Sequence, residues 1–273
     1  MLRLKLYPIT ISGSTLDEDF RSIVTAIGPW LSATQQDWLL RRSNRLDFVN
    51  DPRAPAQRYE EDIRALIEAH LLRTEIGKTL FGMLPKDLRI WIIPYDSMAQ
   101  TSFGACNAIT SQMSSRLSDG VRILYSPETW AYSACGRLPG YRADETLFHE
   151  MVHACRLARF GFEGNNHEPL RDNKDHEEFL AVQMSNVYRS EGNAKTFNHA
   201  YMTSKLGTQA EVERTLSAPD FVKAIEGFLD DPFVAAVAKI NTAFNPFRDI
   251  ARLKAQAEPL EQQRKQQQQH RRK

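Results

Sequence analysis

The sequence predicts an α+β fold that is predominantly helical and carries a small mixed sheet. Three short runs predict strands, because they are rich in β-branched and aromatic residues or alternate apolar with polar ones. They are residues 2–11, 88–93 and 121–126. Longer runs with apolar residues at helical spacing lie around them, chiefly at 14–27, 33–42, 57–84, 143–158 and from 175 onwards. The polar segment 95–120 is expected to form an irregular loop or short strands.

Composition is that of a globular protein without a strong general affinity for polyanions. The chain has 273 residues, of which 42% are hydrophobic and 25% are charged, and its net charge is +1. That balance gives no general attraction to nucleic acid or to acidic membranes. No stretch approaches 18 apolar residues, so we expect no membrane span, and the N-terminus lacks the apolar run of a signal peptide. Three widely spaced cysteines indicate free thiols, so we expect a cytoplasmic location in the producing cell.

The segment TLFHEMVHAC, at residues 146–155, carries the chemistry of the chain. Its HExxH motif places His149 and His153 one helical turn apart, so both imidazoles can bind one ion from the same helix face. Glu150 is placed to take a proton from a water that the ion activates, as in a zinc hydrolase. The flanking residues are uncharged, which suits a helix buried against a core. A buried amphipathic helix with two hydrogen-bonded histidines would show the same pattern.

A catalytic zinc site needs a third protein ligand, which we expect downstream. Arg156 and Arg159 stand where a metzincin has its glycine and third histidine, so that class is excluded. Glu177 and Glu178 open the next helix, where the macrodipole favours a carboxylate. We prefer Glu178, because Ala181 follows it one turn later and lets this helix approach the metal helix; Glu177 is the alternative. Weaker candidates in the same region are His167, Asp172, Asp175 and His176.

Two further roles can be suggested from the residues around the motif. Stabilising the oxyanion usually requires another side chain, and the candidates are Tyr141, Tyr188 and Arg189. The predicted strand 121–126 lies just before the metal helix. In zinc peptidases such a strand often edges the cleft and pairs with extended substrate, although an ordinary core strand explains the same residues.

At HEMVHA followed by EEFLAVQMSNVYRSE the chain resembles the NleD-like bacterial secreted-effector and polymorphic-toxin zinc metallopeptidases. The resemblance covers residues 60–192, with Asn186 and Arg189 matching the family's Asn and Arg after the EE pair, while Gln183 stands where a glycine is common. It implies a zinc endopeptidase acting on proteins of a host or rival cell. It also implies a secretion machine or an immunity protein as partners, and export without a signal peptide.

These observations combine into a zincin-like metallopeptidase that binds Zn²⁺ through His149, His153 and Glu178. We expect a strand and helices at 1–56 that pack on a catalytic core at 57–195, and a helical part at 196–253. The polar tail at 254–273 is expected to be disordered or a fraying helix. The expected partner is a protein or peptide substrate, with no nucleic acid and no membrane. The alternatives are a non-catalytic zinc-binding or interaction protein and a housekeeping intracellular zinc peptidase.

Overall fold

The structure, a computed structural model, is mostly helical with a small mixed sheet, which confirms the predicted α+β class. It describes residues 1–13, 55–87, 89–94, 108–112, 120–125, 127, 142–160, 176–200 and 204–271. The predicted helices at 14–27 and 33–42 lie outside these ranges. The chain divides into two compact units, Met1–His167 and Glu168–Lys273. This division falls inside the core predicted at 57–195.

The first unit holds the sheet and the helix that carries the HExxH motif. Its described elements are β1 (Leu2–Arg3), β2 (Ile9–Ile11), α1 (Pro55–Ala69), a short 3₁₀ turn (Leu71–Arg73), α2 (Glu75–Gly82), β3 (Ile90–Ile93), β4 (Ile109–Gln112), β5 (Val121–Leu124) and α3 (Ala143–Phe160). The second unit holds α4 (His176–Glu191), β6 (Phe197–Ala200), β7 (Ser204–Leu206), α5 (Gln209–Ser217), α6 (Pro219–Glu226), α7 (Pro232–Val237) and α8 (Pro246–Arg271).

The sheet of the first unit has the strand order β1-β2-β3-β5-β4. The three inner strands run parallel to one another, whereas β1 and β4 are antiparallel to their neighbours. One face of the inner strands is made of fully buried β-branched residues, which are Ile9, Ile11, Ile90, Ile92, Val121 and Ile123. Thr110 of β4 pairs with Ile123 and therefore shares this face. Because α3 packs against β4 and β5, the buried face supports the motif helix.

The long helix predicted at 57–84 is broken into α1 and α2. The break lies at residues 70–74, ahead of Gly77. There Thr74 caps α2, since its Oγ1 accepts the Gly77 N–H at 3.0 Å. Gly77 is instead required by close packing, because a Cβ at this position would lie 1.9 Å from the Leu71 carbonyl oxygen.

Two glycines of α2 should respond in opposite ways to alanine. Gly77→Ala is expected to destabilise the protein by about 1–3 kcal/mol, because the methyl group must displace backbone. Gly82→Ala meets nothing within 4 Å and should stabilise it by up to about 1 kcal/mol through backbone entropy. Urea denaturation of both variants measures this difference. If the two variants were equally stable, the turn before α2 would have moved to accept the methyl group, and close packing would not require Gly77.

In the second unit, a hairpin replaces the helical structure that the sequence suggested after Gly192. Strands β6 and β7 pair antiparallel, with an irregularity at Asn198–Ala200. The Asn186 side chain of α4 bonds the Asn198 backbone twice: its Nδ2 donates to the carbonyl at 2.7 Å and its Oδ1 accepts the N–H at 2.9 Å. Arg189 donates to the Thr196 carbonyl at 3.0 Å. These side chains therefore hold the hairpin against α4.

Helix α5 begins with a capping box formed by Thr208 and Glu211. The Glu211 carboxylate accepts the backbone N–H groups of Gly207 at 2.8 Å and of Thr208 at 2.9 Å. These bonds favour the charged form and lower the pKa of Glu211 below its ordinary value. Helix α5 lies in the part of the chain, 196–253, that the sequence predicts to be helical.

The sequence predicts a disordered or fraying helical tail at 254–273, and the structure shows the helical alternative. Helix α8 continues to Arg271 and includes Pro259. The tail is rich in Gln, Lys, Glu and Arg, which have high intrinsic helix propensities. Among the described residues, no helix is long and apolar enough to cross a membrane.

Candidate metal centre

The predicted motif helix is present as α3, with an end two residues beyond the predicted one. Tyr125, which follows β5, ties the start of α3 to the sheet, because its hydroxyl donates to the Ala143 carbonyl at 2.7 Å. Its own carbonyl accepts the hydroxyl of Tyr59 in α1 at 2.8 Å. Glu145, in the first turn of the helix, accepts the Arg142 N–H at 3.2 Å. A buried carboxylate at a helix start is favoured by the exposed N–H groups there. These contacts fix where α3 begins relative to β5.

The two motif histidines face each other on one side of α3. Their Nε2 atoms lie 3.1 Å apart, and the rings are 4.8 Å apart at 76°. Two nitrogens bound at ~2.1 Å to a tetrahedral ion lie about 3.4 Å apart, so this spacing fits a shared zinc ion. Both side chains are half-buried. A hydrogen bond between one protonated and one unprotonated nitrogen would give the same distance.

Glu150 is buried beside the histidines, with 7% of its surface exposed. Its Oε2 accepts a hydrogen bond from the Thr110 hydroxyl at 2.7 Å, and the same hydroxyl lies 3.1 Å from the Glu150 carbonyl oxygen. Thr110 belongs to β4, 40 positions earlier in the chain. The contact therefore fixes the carboxylate through an element outside α3. Sequence reasoning missed Thr110, which lies in a segment assigned to loops or short strands.

The predicted role of residues 121–126 as the strand that edges the cleft is wrong. Strand β5 pairs with β3 on one side and with β4 on the other, so neither of its edges is open to a substrate. Within the described part of the sheet, the strand at this end is β4. Residues 121–124 therefore form an interior strand, the other explanation that their sequence allowed.

The predicted third ligands lie in the first turn of α4, in the second unit. Glu177 is buried, with 2% of its surface exposed, whereas Glu178 is half-buried. Of the weaker candidates, His176 begins the same helix and is half-buried, and its ring faces Phe228 at 6.3 Å. His167, Asp172 and Asp175 lie outside the described residues.

The structure describes two of the three candidates for oxyanion stabilisation, Tyr188 and Arg189. The guanidinium of Arg189 donates from both Nε and Nη2 to the Thr196 carbonyl, so it serves the β6–β7 hairpin. Tyr188 is buried, with 5% of its surface exposed, and Tyr141 lies outside the described residues. Asn186, like Arg189, has a structural role in this unit rather than one shown at the motif.

Comparison with known proteins finds no matching family model, and no curated protein and no solved structure that matches significantly. The resemblance to effector metallopeptidases therefore stays a prediction. What is defined is a helix that presents two facing imidazoles and a buried carboxylate, a set of groups suited to a divalent metal of borderline softness.

Proposed function

We propose that this protein is a zinc-dependent peptidase with a zincin-like fold. The observation that carries the proposal is the arrangement on α3. Two imidazole nitrogens face each other at 3.1 Å, and the carboxylate of the intervening Glu150 is held by Thr110. A helix buried only for packing has no need of a carboxylate at this position, since burying a charged group costs free energy.

Glu178 is proposed as the third ligand. With His149 and His153, it would complete the three protein ligands of a catalytic zinc site. It lies in the first turn of α4, where the macrodipole favours a carboxylate, and Ala181 stands one turn later. Glu177 is the alternative. Bound by these residues, Zn²⁺ would polarise the scissile carbonyl and lower the pKa of a water, leaving one coordination position for that chemistry.

The protein's own side chains then have separate roles. His149 and His153 would hold the ion through the lone pairs of their Nε2 atoms, which requires the neutral form of the imidazole. Glu150 accepts the proton of the attacking water at its carboxylate and gives that proton to the leaving amine. Thr110 keeps the carboxylate in one orientation through Oε2, which leaves Oε1 for the proton transfer. Thr110 is thus a positioning residue.

Removing the Thr110 hydroxyl should slow hydrolysis without releasing zinc. Thr110→Val keeps the shape of the side chain and loses the bond to Glu150, for which we expect a fall in kcat of about tenfold. Thr110→Ser restores the hydroxyl and should recover most of the rate. Steady-state kinetics with metal content measured in parallel checks both. A Val variant with full kcat would show that the bond does not position Glu150.

The substrate is proposed to be a protein or peptide of another cell. This part of the proposal depends on the resemblance at residues 60–192, and it includes a secretion-machine or immunity partner. A housekeeping peptidase with the same site would differ in its neighbouring genes. Secretion or immunity genes beside the coding sequence support the effector proposal.

The proposed activity is tested by incubating the zinc-loaded protein with extracts of bacterial and animal cells and labelling newly formed α-amino groups. We expect new N-termini that appear with zinc and disappear after treatment with a chelator. Mass spectrometry of the labelled peptides gives the cleaved sequences. If zinc-loaded and chelated samples yield the same termini in every extract, the peptidase proposal fails.

A further inference from the structure

A cleft opens on the sheet of the first unit, on the face opposite to Thr110. Its volume is about 490 Å³, which lies within the range of small-molecule sites. It is lined by Met1, Arg3, Pro8, Thr10, Lys86, Asp87, Arg89 and Trp91. None of these residues takes part in the proposed metal chemistry, so the cleft needs a separate explanation.

The strand register places the cleft's central residues in one row. Arg3 of β1 pairs with Thr10 of β2, and Thr10 pairs with Trp91 of β3. Residues paired across neighbouring strands point to the same face of a sheet. Arg89, two positions before Trp91, follows the same alternation. A guanidinium, a hydroxyl and an indole therefore lie side by side across three strands.

The cleft carries an excess of positive charge. Arg3, Lys86 and Arg89 are exposed, and the single carboxylate in the lining is that of Asp87. Among the described residues, none of these four side chains has an ion-pair or hydrogen-bond partner. Three cations around one concave surface attract an anion, since their fields add there. Guanidinium groups in particular bind phosphate through paired N–H donors.

We propose that this cleft binds a nucleoside di- or triphosphate. Arg3, Lys86 and Arg89 supply donors for the phosphates, and half-buried Trp91 supplies a ring on which a base can stack. Asp87 provides the acceptor that an exocyclic amino group or a ribose hydroxyl needs. The site lies on the sheet face opposite to the one that supports α3, so this inference goes beyond the proposed peptidase function and does not depend on it.

Calorimetric titration of the full chain tests the site with three probes: ATP, inorganic pyrophosphate, and adenosine. We expect saturable ATP binding that is tighter than that of either partial ligand. Arg89→Ala should weaken ATP binding by about tenfold through loss of a paired contact. Trp91→Leu should weaken ATP binding but leave pyrophosphate binding unchanged. Arg64→Ala removes the same charge from an exposed position on α1, outside the cleft, and should change nothing.

Two controls make the result decisive. ATP binds zinc, so the titration is repeated after chelation and with His149→Ala; binding that vanishes there belongs to the metal centre and overturns the proposal. Thermal melting of Arg89→Ala and Trp91→Leu shows whether each variant folds. If one of them does not fold, Lys86→Ala is used in its place. Absence of saturable ATP binding at millimolar concentrations, or equal binding by wild type and the cleft variants, also overturns it.

Discussion

Glu150→Gln should lower the rate of zinc-dependent peptide hydrolysis by about 10²–10⁴-fold and leave the zinc content unchanged. The amide keeps the shape of the side chain but cannot accept the proton of the attacking water. It can still accept the Thr110 hydroxyl through its carbonyl oxygen, so the packing around Oε2 is preserved. The loss should therefore appear in kcat, while the protein remains folded.

The same labelling of new α-amino groups measures this effect. Glu68→Gln, an exposed substitution of the same type on α1, serves as the matched control and should behave as the wild type. Full activity in Glu150→Gln would rule out this carboxylate as the proton acceptor. Loss of activity together with loss of zinc would instead assign Glu150 to metal binding, against the roles proposed for the three motif residues.

Zinc should stabilise the wild-type protein strongly, and His153→Ala should abolish that effect. At free zinc about 1,000 times above Kd, binding contributes about 4 kcal/mol to folding. In a chain of this size, that corresponds to a rise in Tm of about 8–16 °C. Removing a direct ligand should weaken zinc affinity by more than the roughly 10–100-fold that loss of an outer partner costs.

Melting curves with and without zinc measure this stabilisation. His70→Ala removes an exposed histidine outside the motif and should retain the full zinc effect. If zinc raised the Tm of His153→Ala as much as that of the wild type, the ion would be bound elsewhere, and the facing imidazoles would be joined by a hydrogen bond alone.

Sequence patterns within a segment predicted the helix α3 and the interior strands, but not the strands that depend on contacts with other parts of the chain. Helix α3 was predictable because the spacing of the HExxH motif and the uncharged residues around it both fit a helix buried against a core. The interior strands were predictable because they are rich in β-branched residues, which make one of their faces wholly apolar. Strand β4 was predicted only as one of two alternatives, since the segment 95–120 could form a loop or short strands. Three of its four residues are polar, and pairing with β5 rather than composition makes them a strand. The β6–β7 hairpin was missed for a similar reason: side chains of α4 hold it in place.

The part of the candidate metal site that lies on helix α3 was predictable from the sequence. His149, Glu150 and His153 follow from spacing along a single element, and the structure shows the two imidazoles facing each other. Thr110 could not be found this way, because its contact with Glu150 depends on the register of β4 against β5. The choice between Glu177 and Glu178 depends on the rotation of α4, which a pair of adjacent glutamates does not reveal.

Elemental analysis of zinc tests the central claim most directly. It is applied to the purified, zinc-reconstituted wild type and to His149→Ala, Glu177→Ala and Glu178→Ala. We expect about one zinc per chain in the wild type and in Glu177→Ala, and its loss in His149→Ala and Glu178→Ala. If zinc is lost in Glu177→Ala and retained in Glu178→Ala, the third ligand is Glu177. A wild type that binds no zinc would contradict the account and leave α3 as a helix with two hydrogen-bonded histidines.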